Sequence, residues 1–129
     1  MREQPPIRSF KDLEVWRAAM DLAEGCYEVS STFPRDEIYG MTAQIRRAAV
    51  SIAANIAEGY GRETTPSFVN FLRVAQGSLK ELETHLMLAE RVRLSSTERL
   101  APLLTRAENV SKMLRNLIRS FERRQSCDP

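Results

Sequence analysis

The stretch from Gln44 to Arg62 constrains the fold more than any other part of the sequence. Alanine is its commonest residue and no proline interrupts it, so it predicts one continuous helix. At about 100° per residue, apolar side chains collect on one face. That face comprises Met41, Ile45, Ala48, Ala49, Ile52 and Ile56. The opposite face is also apolar, with Ala43, Val50, Ala54 and Ala57. A helix of this kind is expected to pack against neighbours on most of its sides.

Polar side chains on this helix are confined to one stripe with spacings of three or four. The stripe consists of Gln44, Arg47, Ser51, Asn55, Glu58 and Arg62. One interpretation is a seam of solvent-facing side chains between packed neighbours. The other is a partly buried network, with Arg47 and Arg62 against Glu58, and with Ser51 and Asn55 hydrogen-bonding across helices. Such a network would fix register and copy number in an assembly.

The bulk composition is that of one globular domain. The chain has 129 residues and a net charge of +2, so total charge does not require a nucleic-acid partner. Charge is unevenly distributed, because residues 1–34 sum to −2 and residues 95–129 to +3. Cys26 and Cys127 fit neither a disulfide framework nor a zinc site. With no signal peptide and no apolar run of about 18 residues, the sequence predicts a cytoplasmic protein.

Four helices are predicted, in an all-α, antiparallel, up-down-up-down four-helix bundle. The first begins at Ser9 or Asp12 and runs to about Phe33, and the second covers about residues 37–60. Glycines at 59 and 61 are expected to end the second helix. The bundle domain is predicted to cover residues 10–124, after a disordered lead of residues 1–9 and before a flexible tail of residues 125–129.

Local signals mark the later helices. Thr65 is expected to cap the third helix, with Pro66 in its first position, and Leu94 closes this element. Gly77, in mid-helix, indicates close approach of a neighbouring helix. The segment from Ser95 to Glu98 has the form of a capping box before the fourth helix. Pro102 predicts a kink there, or a separated first turn.

The first helix has two apolar faces. One consists of Leu13, Trp16, Met20, Ala23 and Tyr27. The other, assigned as the oligomer face, consists of Val15, Ala18, Leu22, Cys26, Val29 and Phe33. A helix in a monomeric bundle normally buries a single stripe, so the second stripe favours an oligomer. The alternative is a helix covered on both sides within its own chain.

The sequence offers little catalytic chemistry. A di-iron site in a bundle requires Glu-x-x-His pairs, but the only histidine, His85, follows Leu82 at that spacing. A nucleophilic triad would need that same histidine, and no nucleophile turn is recognisable. His85 is therefore interpreted as a surface residue, and the chain is predicted to be no enzyme and to hold no metal or cofactor.

Cations on the last two helices point away from the apolar stripes. In the third helix they are Arg73, Lys80 and Arg91, and in the fourth they are Lys112, Arg115, Arg119 and Arg123. Arginine-rich faces follow phosphates through charge-assisted hydrogen bonds, and a ring of chains would enlarge the stripe. The competing interpretation is a solvated face, because Glu108 and Glu122 neutralise part of it and no aromatic residues interleave to stack bases.

Three blocks resemble a known family. They are FKDLEVW at 10–16, QIRRAAVSIAANIAEG at 44–59, and FL at 71–72 followed by GSLKELET at 77–84. In this order they resemble the bacterial four helix bundle protein family, also called the 23S rRNA-intervening-sequence protein family. The resemblance covers residues 10–95.

The resemblance implies an antiparallel four-helix bundle that assembles as a homopentameric ring, and it implies no enzyme. Members are encoded within insertions in large ribosomal RNA genes or elsewhere in genomes. The accessory protein of diversity-generating retroelements resembles this fold more distantly and binds nucleic acid and a reverse transcriptase.

The sequence thus predicts a non-enzymatic homo-oligomer with basic surfaces. Its expected partners are copies of itself and RNA, DNA or a reverse-transcriptase-like protein. The alternative is a protein-interaction scaffold with no role on nucleic acid.

Overall fold

Four α-helices account for most of the chain. The computed structural model describes residues 6–127, with side chains described as far as residue 124. The helices are α1 (Glu14–Ser30), α2 (Met41–Tyr60), α3 (Thr65–Arg91) and α4 (Thr97–Cys127). Short 3₁₀ turns at Phe10–Asp12 and Arg35–Glu37 precede α1 and α2. Within these described residues there is no strand.

Each helix packs against two others. Helix α1 contacts α2 and α4, while α3 contacts α2 and α4, so the two diagonal pairs do not meet. Consecutive helices are joined by short connections and lie side by side. The predicted four-helix bundle is confirmed.

The core lies between all four inward faces. Its largest fully buried side chains come from every helix: Leu22, Cys26, Ile45, Ile52, Ile56, Leu72, Leu79, Leu82, Leu86, Leu100, Val110 and Leu114. Burying one such aliphatic side chain stabilises the fold by about 1.5–3 kcal/mol. This shared core fixes which surface of each helix remains outside.

A capping box precedes α1. The Ser9 hydroxyl accepts a hydrogen bond from the Lys11 N–H, and Asp12 accepts from the N–H groups of Arg8 and Ser9. These backbone donors hold the pKa of the Asp12 carboxyl below its ordinary value. Ser9 therefore belongs to the folded domain, contrary to the predicted lead, of which residues 1–5 lie outside the described residues. Helix α1 ends at Ser30, before the predicted Phe33.

Helix α2 begins four residues later than predicted. The 3₁₀ turn Arg35–Glu37 comes first, and the Glu37 carboxylate accepts from the Met41 N–H at 3.3 Å. Gly59 does not end this helix but lies buried within it, and Gly61 is its C-cap with φ −74°. The helix therefore ends within the predicted segment 59–61, at Tyr60, and the glycine at 59 serves helix packing.

Helix α3 is capped by Thr64 and not by Thr65. The Thr64 hydroxyl accepts from the Ser67 N–H at 3.3 Å, which places Pro66 in the second position of the helix. The helix ends at Arg91. Arg93 has φ 63°, and the Leu94 N–H donates to the Ala89 carbonyl at 2.9 Å. A residue in the left-handed conformation commonly follows a helix and allows the next N–H groups to bind the last free carbonyls. Here that residue is arginine, where glycine is usual.

Helix α4 is continuous through Pro102, so the predicted separation of its first turn is wrong. Leu100 and Leu103, on either side of the proline, are both buried in the core and hold the first turn in line. The helix continues to Cys127, which places residues 125–127 in the helix instead of the predicted tail. Residues 128–129 lie outside the described residues.

Candidate interaction surfaces

The predicted oligomer face of α1 lies inside the single chain. Val15, Leu22, Cys26 and Phe33 are buried in the core, and Ala18 and Val29 are half-buried against it. The four buried side chains cannot meet another chain while the bundle is folded. The assignment of this face to an oligomer contact is therefore wrong.

Close packing between α1 and α4 explains this orientation. A Cβ built on Gly25 would lie 2.6 Å from the Cδ2 of Leu103 and 2.9 Å from the Nη1 of Arg106, so a side chain at 25 would require the ends of both side chains to move. The next residue, Cys26, is fully buried, and burial raises the pKa of its thiol from 9.0 to about 12. Glycine at 25 thus lets α4 approach the face of α1 that carries Cys26.

The other apolar face of α1 is the one left open. Together with α2 it forms a groove of about 530 Å³, which we call the α1–α2 groove. Its lining is formed by Trp16, Met20, Ala23, Glu24, Tyr27, Val50, Ala53, Ala54 and Ala57. Met20, Tyr27 and Val50 are 44%, 44% and 46% exposed. Nearly all of this surface is apolar, and contiguous apolar patches of this kind mark interaction sites.

Charged groups border the groove. Arg46 stacks its guanidinium 4.6 Å from the centre of the Tyr27 ring and donates to the Ser30 hydroxyl at 2.9 Å. On the α4 side of α1, three carboxylates line a shallow cleft with Arg106; they belong to Asp21, Glu24 and Glu28. Within the described residues none of the three forms an ion pair. The groove therefore has an apolar floor and an acidic outer edge along α1.

The polar stripe of α2 lies partly against α3. The hydroxyls of Ser51 and Ser78 share a hydrogen bond of 2.8 Å, and the Asn55 amide donates to the Ser51 hydroxyl at 3.0 Å. Glu58 and Arg62 form an exposed ion pair at 3.2 Å. The cross-helix bond thus connects α2 to α3 of the same chain. Arg47 forms no ion pair with any described residue, and a role of the stripe in assembly stays a prediction.

The cations of α3 and α4 share one edge of the bundle. Arg73 binds Glu122 at 2.6 Å and so joins the two helices there. Lys80 pairs with Glu83 at 3.0 Å, and Lys112 lies 3.8 Å from Glu108. Arg91, Arg115 and Arg119 are exposed and form no ion pair with the described residues. The Arg123 guanidinium donates to the Arg119 carbonyl. The edge is therefore basic but partly neutralised.

Comparison with known families is decisive for this fold. Residues 11–116 match the profile of the 23S rRNA-intervening sequence protein family. The chain belongs to this family. The match extends the resemblance of the three sequence blocks into α4.

A solved structure supports the fold of this chain. The chain is similar to a protein of unknown function from the S23 ribosomal protein family of Bacteroides thetaiotaomicron, with a TM-score of 0.73 and 23% identity. The superposition covers 81% of this chain and 97% of that one. No curated protein matches the chain. The structural likeness concerns the fold alone.

The single histidine of the chain lies on α3 beside a glutamate. His85 is half-buried, and its Nε2 lies 3.4 Å from Glu81 Oε1 on the outside of α3. Within the described part of the chain, no three side chains of His, Cys, Asp or Glu come together as metal ligands. Over the same part, no helix is long and apolar enough to cross a membrane.

Sequence reasoning missed the α1–α2 groove as a site, although both of its walls show in the pattern. Trp16, Met20, Ala23 and Tyr27 repeat with spacings of four and three, and so do Val50, Ala54 and Ala57 on α2. The missing step was to choose which of the two apolar faces of α1 turns inward. Once α4 covers the other face, these two walls remain side by side on the surface.

Proposed function

We propose that this chain is a non-enzymatic bundle of the cytoplasm that assembles with copies of itself and binds RNA or DNA through basic helix surfaces. The same basic surfaces could instead bind a protein that acts on nucleic acid, such as a reverse transcriptase. The proposed assembly is a homopentamer, which is what the family resemblance implies.

One observation carries the proposal: the apolar groove and the basic edge lie on opposite sides of the bundle. The groove runs between α1 and α2, and the cations lie along α3 and α4. Because α1 does not meet α3 and α2 does not meet α4, these two edges are opposite each other. Assembly through the groove therefore leaves basic side chains available to a second partner.

The groove supports the assembly. Met20, Tyr27 and Val50 expose much of their apolar surface to water, and covering it would stabilise a complex at about 25 cal/mol per Å² removed from water. Aromatic residues and methionine are typical of the cores of protein interfaces. A second copy of the chain is always present at the same concentration, which favours it as the occupant.

The unpaired arginines support nucleic-acid binding. Arg115 and Arg119 extend from α4 into solvent. A guanidinium binds phosphate through two parallel hydrogen bonds, and each phosphate contact releases counterions. An assembly repeats these cations in every copy, so a modest basic edge on one chain becomes a larger basic surface.

The test is an anisotropy titration of labelled single-stranded RNA and of a DNA duplex with the wild-type protein. We expect binding that weakens steeply between about 50 and 200 mM salt. Replacing Arg115, Arg119 and Arg123 together by glutamine should flatten the salt slope for single strands by about 2, which is 0.7 for each phosphate contact. A control with Arg8, Arg17 and Arg35 replaced carries the same net charge and should keep the wild-type slope.

The alternative function is a protein-interaction scaffold with no role on nucleic acid. Neutralisation of the basic edge favours it, because Arg73, Lys80 and Lys112 each have a glutamate partner. In this case the wild-type protein would bind neither RNA nor DNA at about 50 mM salt, where phosphate contacts are strongest. That result would reject nucleic-acid binding and leave self-association standing.

A further inference from the structure

We infer that the outer face of α3 from one copy fills the α1–α2 groove of the next copy. This inference rests on the proposed self-association and names the surface that supplies the partner. The face in question, called the α3 seam, consists of Asn70, Val74, Gly77, Glu81, Thr84 and Leu88. All six residues are exposed on the bundle.

The α3 seam has the spacing of a helix contact. Its residues follow one another at intervals of four and three, which is the repeat that keeps one stripe of a helix against a partner. Val74 is 53% exposed and Leu88 is 45% exposed, so two large apolar side chains of the seam lie in water. Core packing in the single chain does not use this stripe.

Gly77 has no role within its own chain. Glycine weakens a helix relative to alanine, and close approach of a neighbour normally explains a glycine at mid-helix. Nothing lies within 4 Å of a Cβ built at this position, so the expected neighbouring helix is absent from the single chain. The space over Gly77 in the α3 seam can therefore receive a large side chain from another copy.

The groove offers such side chains at matching intervals. Trp16, Met20, Ala23 and Tyr27 form its α1 wall, and Val50, Ala54 and Ala57 form its α2 wall. Each wall repeats with spacings of four and three, so a third helix with the same repeat can pack its side chains between them. Met20 or Tyr27 would enter the gap over Gly77, while Val74 and Leu88 would contact the small alanines.

Charge selects the α3 flank that faces α1. Of the carboxylates on α1, Glu24 lines the groove, and Asp21 and Glu28 lie beyond it on the α4 side of the helix. None of the three forms an ion pair with a described residue. One flank of the α3 seam carries Arg73, Lys80 and Arg91. Placing this flank against the α1 edge brings its cations opposite the carboxylates of α1. Arg91 has no ion pair with a described residue, whereas Arg73 and Lys80 would share their charge with Glu122 and Glu83 of their own chain. The α4 cations remain available for phosphate.

This contact joins two different surfaces, so it is heterologous. A heterologous contact produces a closed ring when its rotation closes and a filament when it does not. Two copies joined by one such contact still present one open groove and one open seam, so further copies can add. A defined ring is therefore the expected product when the rotation closes.

The first test replaces Gly77 with leucine. Nothing lies within 4 Å of the Cβ position of Gly77, so G77L should keep the helical circular dichroism spectrum of a folded bundle. Leucine is also the better helix former, so the variant should not destabilise the single chain. In sedimentation velocity, the same variant should weaken self-association about tenfold or more, because leucine fills the gap that the next copy needs. N116L, which adds leucine to the exposed surface of α4, is the matched control and should assemble like the wild type.

The outcomes separate this inference from the proposed self-association. If V50R, a substitution in the groove, dissociates the assembly and G77L does not, another surface fills the groove and the inference is overturned. If the wild-type protein is a single chain at micromolar concentration, the inference and the proposed assembly both fail. Loss of assembly in V50R and G77L alike, with N116L unaffected, supports the α3 seam.

A charge exchange provides an independent test. Glu24→Lys with Glu28→Lys should weaken assembly about tenfold or more at low salt, and so should Lys80→Glu with Arg91→Glu. One chain that carries all four substitutions pairs opposite charges again and should recover assembly to within about threefold of the wild type. A fourfold variant that assembles no better than the weaker double variant would overturn the pairing.

Discussion

Gly59 of α2 and Phe71 of α3 lie so close together that a Cβ built on the glycine would stand 2.5 Å from the Cβ of the phenylalanine. The Cδ1 of Phe68 would be 2.9 Å away. Because a backbone-linked Cβ cannot rotate away, α2 and α3 would have to separate to admit any side chain at 59. This contact brings together two of the sequence blocks that carry the family resemblance.

Replacing Gly59 with alanine should therefore destabilise the bundle. Overpacking typically costs about 1–3 kcal/mol, which exceeds or offsets the gain of about 1 kcal/mol from the better helix propensity of alanine. Urea unfolding at one protein concentration measures the difference. Gly61→Ala is the control, since Gly61 has φ −74° and its hypothetical Cβ would lie 3.5 Å from the nearest atom. An equal loss in both variants would show that helix packing at 59 is not the cause.

Cys26 should be unreactive in the folded protein. Burial raises the pKa of its thiol from 9.0 to about 12, so the thiolate fraction at pH 8 is about a thousandfold lower than in the unfolded chain. With Cys127 replaced by serine, iodoacetamide should label Cys26 at pH 8 at least about 100-fold more slowly in buffer than in urea. Equal rates in the two conditions would contradict the buried position of this side chain.

Helix periodicity predicted the number and order of the helices because it depends on local spacing alone. It could not decide which face of α1 turns inward, since both faces carry large apolar side chains. That choice depends on α4, which packs over Gly25 and leaves the side of Trp16 and Tyr27 open. Gly25 and Leu103 are distant in sequence, and no sequence pattern near either residue predicts that they are in contact.

The ends of the helices also could not be predicted fully from local sequence. Thr64 and Thr65 are equally good capping residues, and the structure selects Thr64 through its bond to the Ser67 N–H. Pro102 predicted a kink or a separated first turn, but the first turn is not separated, and Leu100 and Leu103 on either side of the proline are buried in the core. In both places the local rule predicted the helix correctly but not the geometry of its first turn, because tertiary contacts determine that geometry.

The basic edge was predictable only in part. Pairing of Lys112 with Glu108 follows from a spacing of four on one helix. The pair of Arg73 with Glu122 joins two helices, and no local spacing indicates it. The α1–α2 groove belongs to the same class, because it exists only once α1 and α2 lie side by side.

The most direct test of this account is the mass of the protein in solution, measured by light scattering after gel filtration at micromolar concentration. Wild-type protein should have a multiple of the single-chain mass, with a homopentamer as the expected assembly. V50R should have the mass of one folded chain, because a charge at the exposed Val50 cannot be buried in the α1–α2 groove without a partner. N116R should behave as the wild type. A wild-type protein with the mass of a single chain would contradict the central claim.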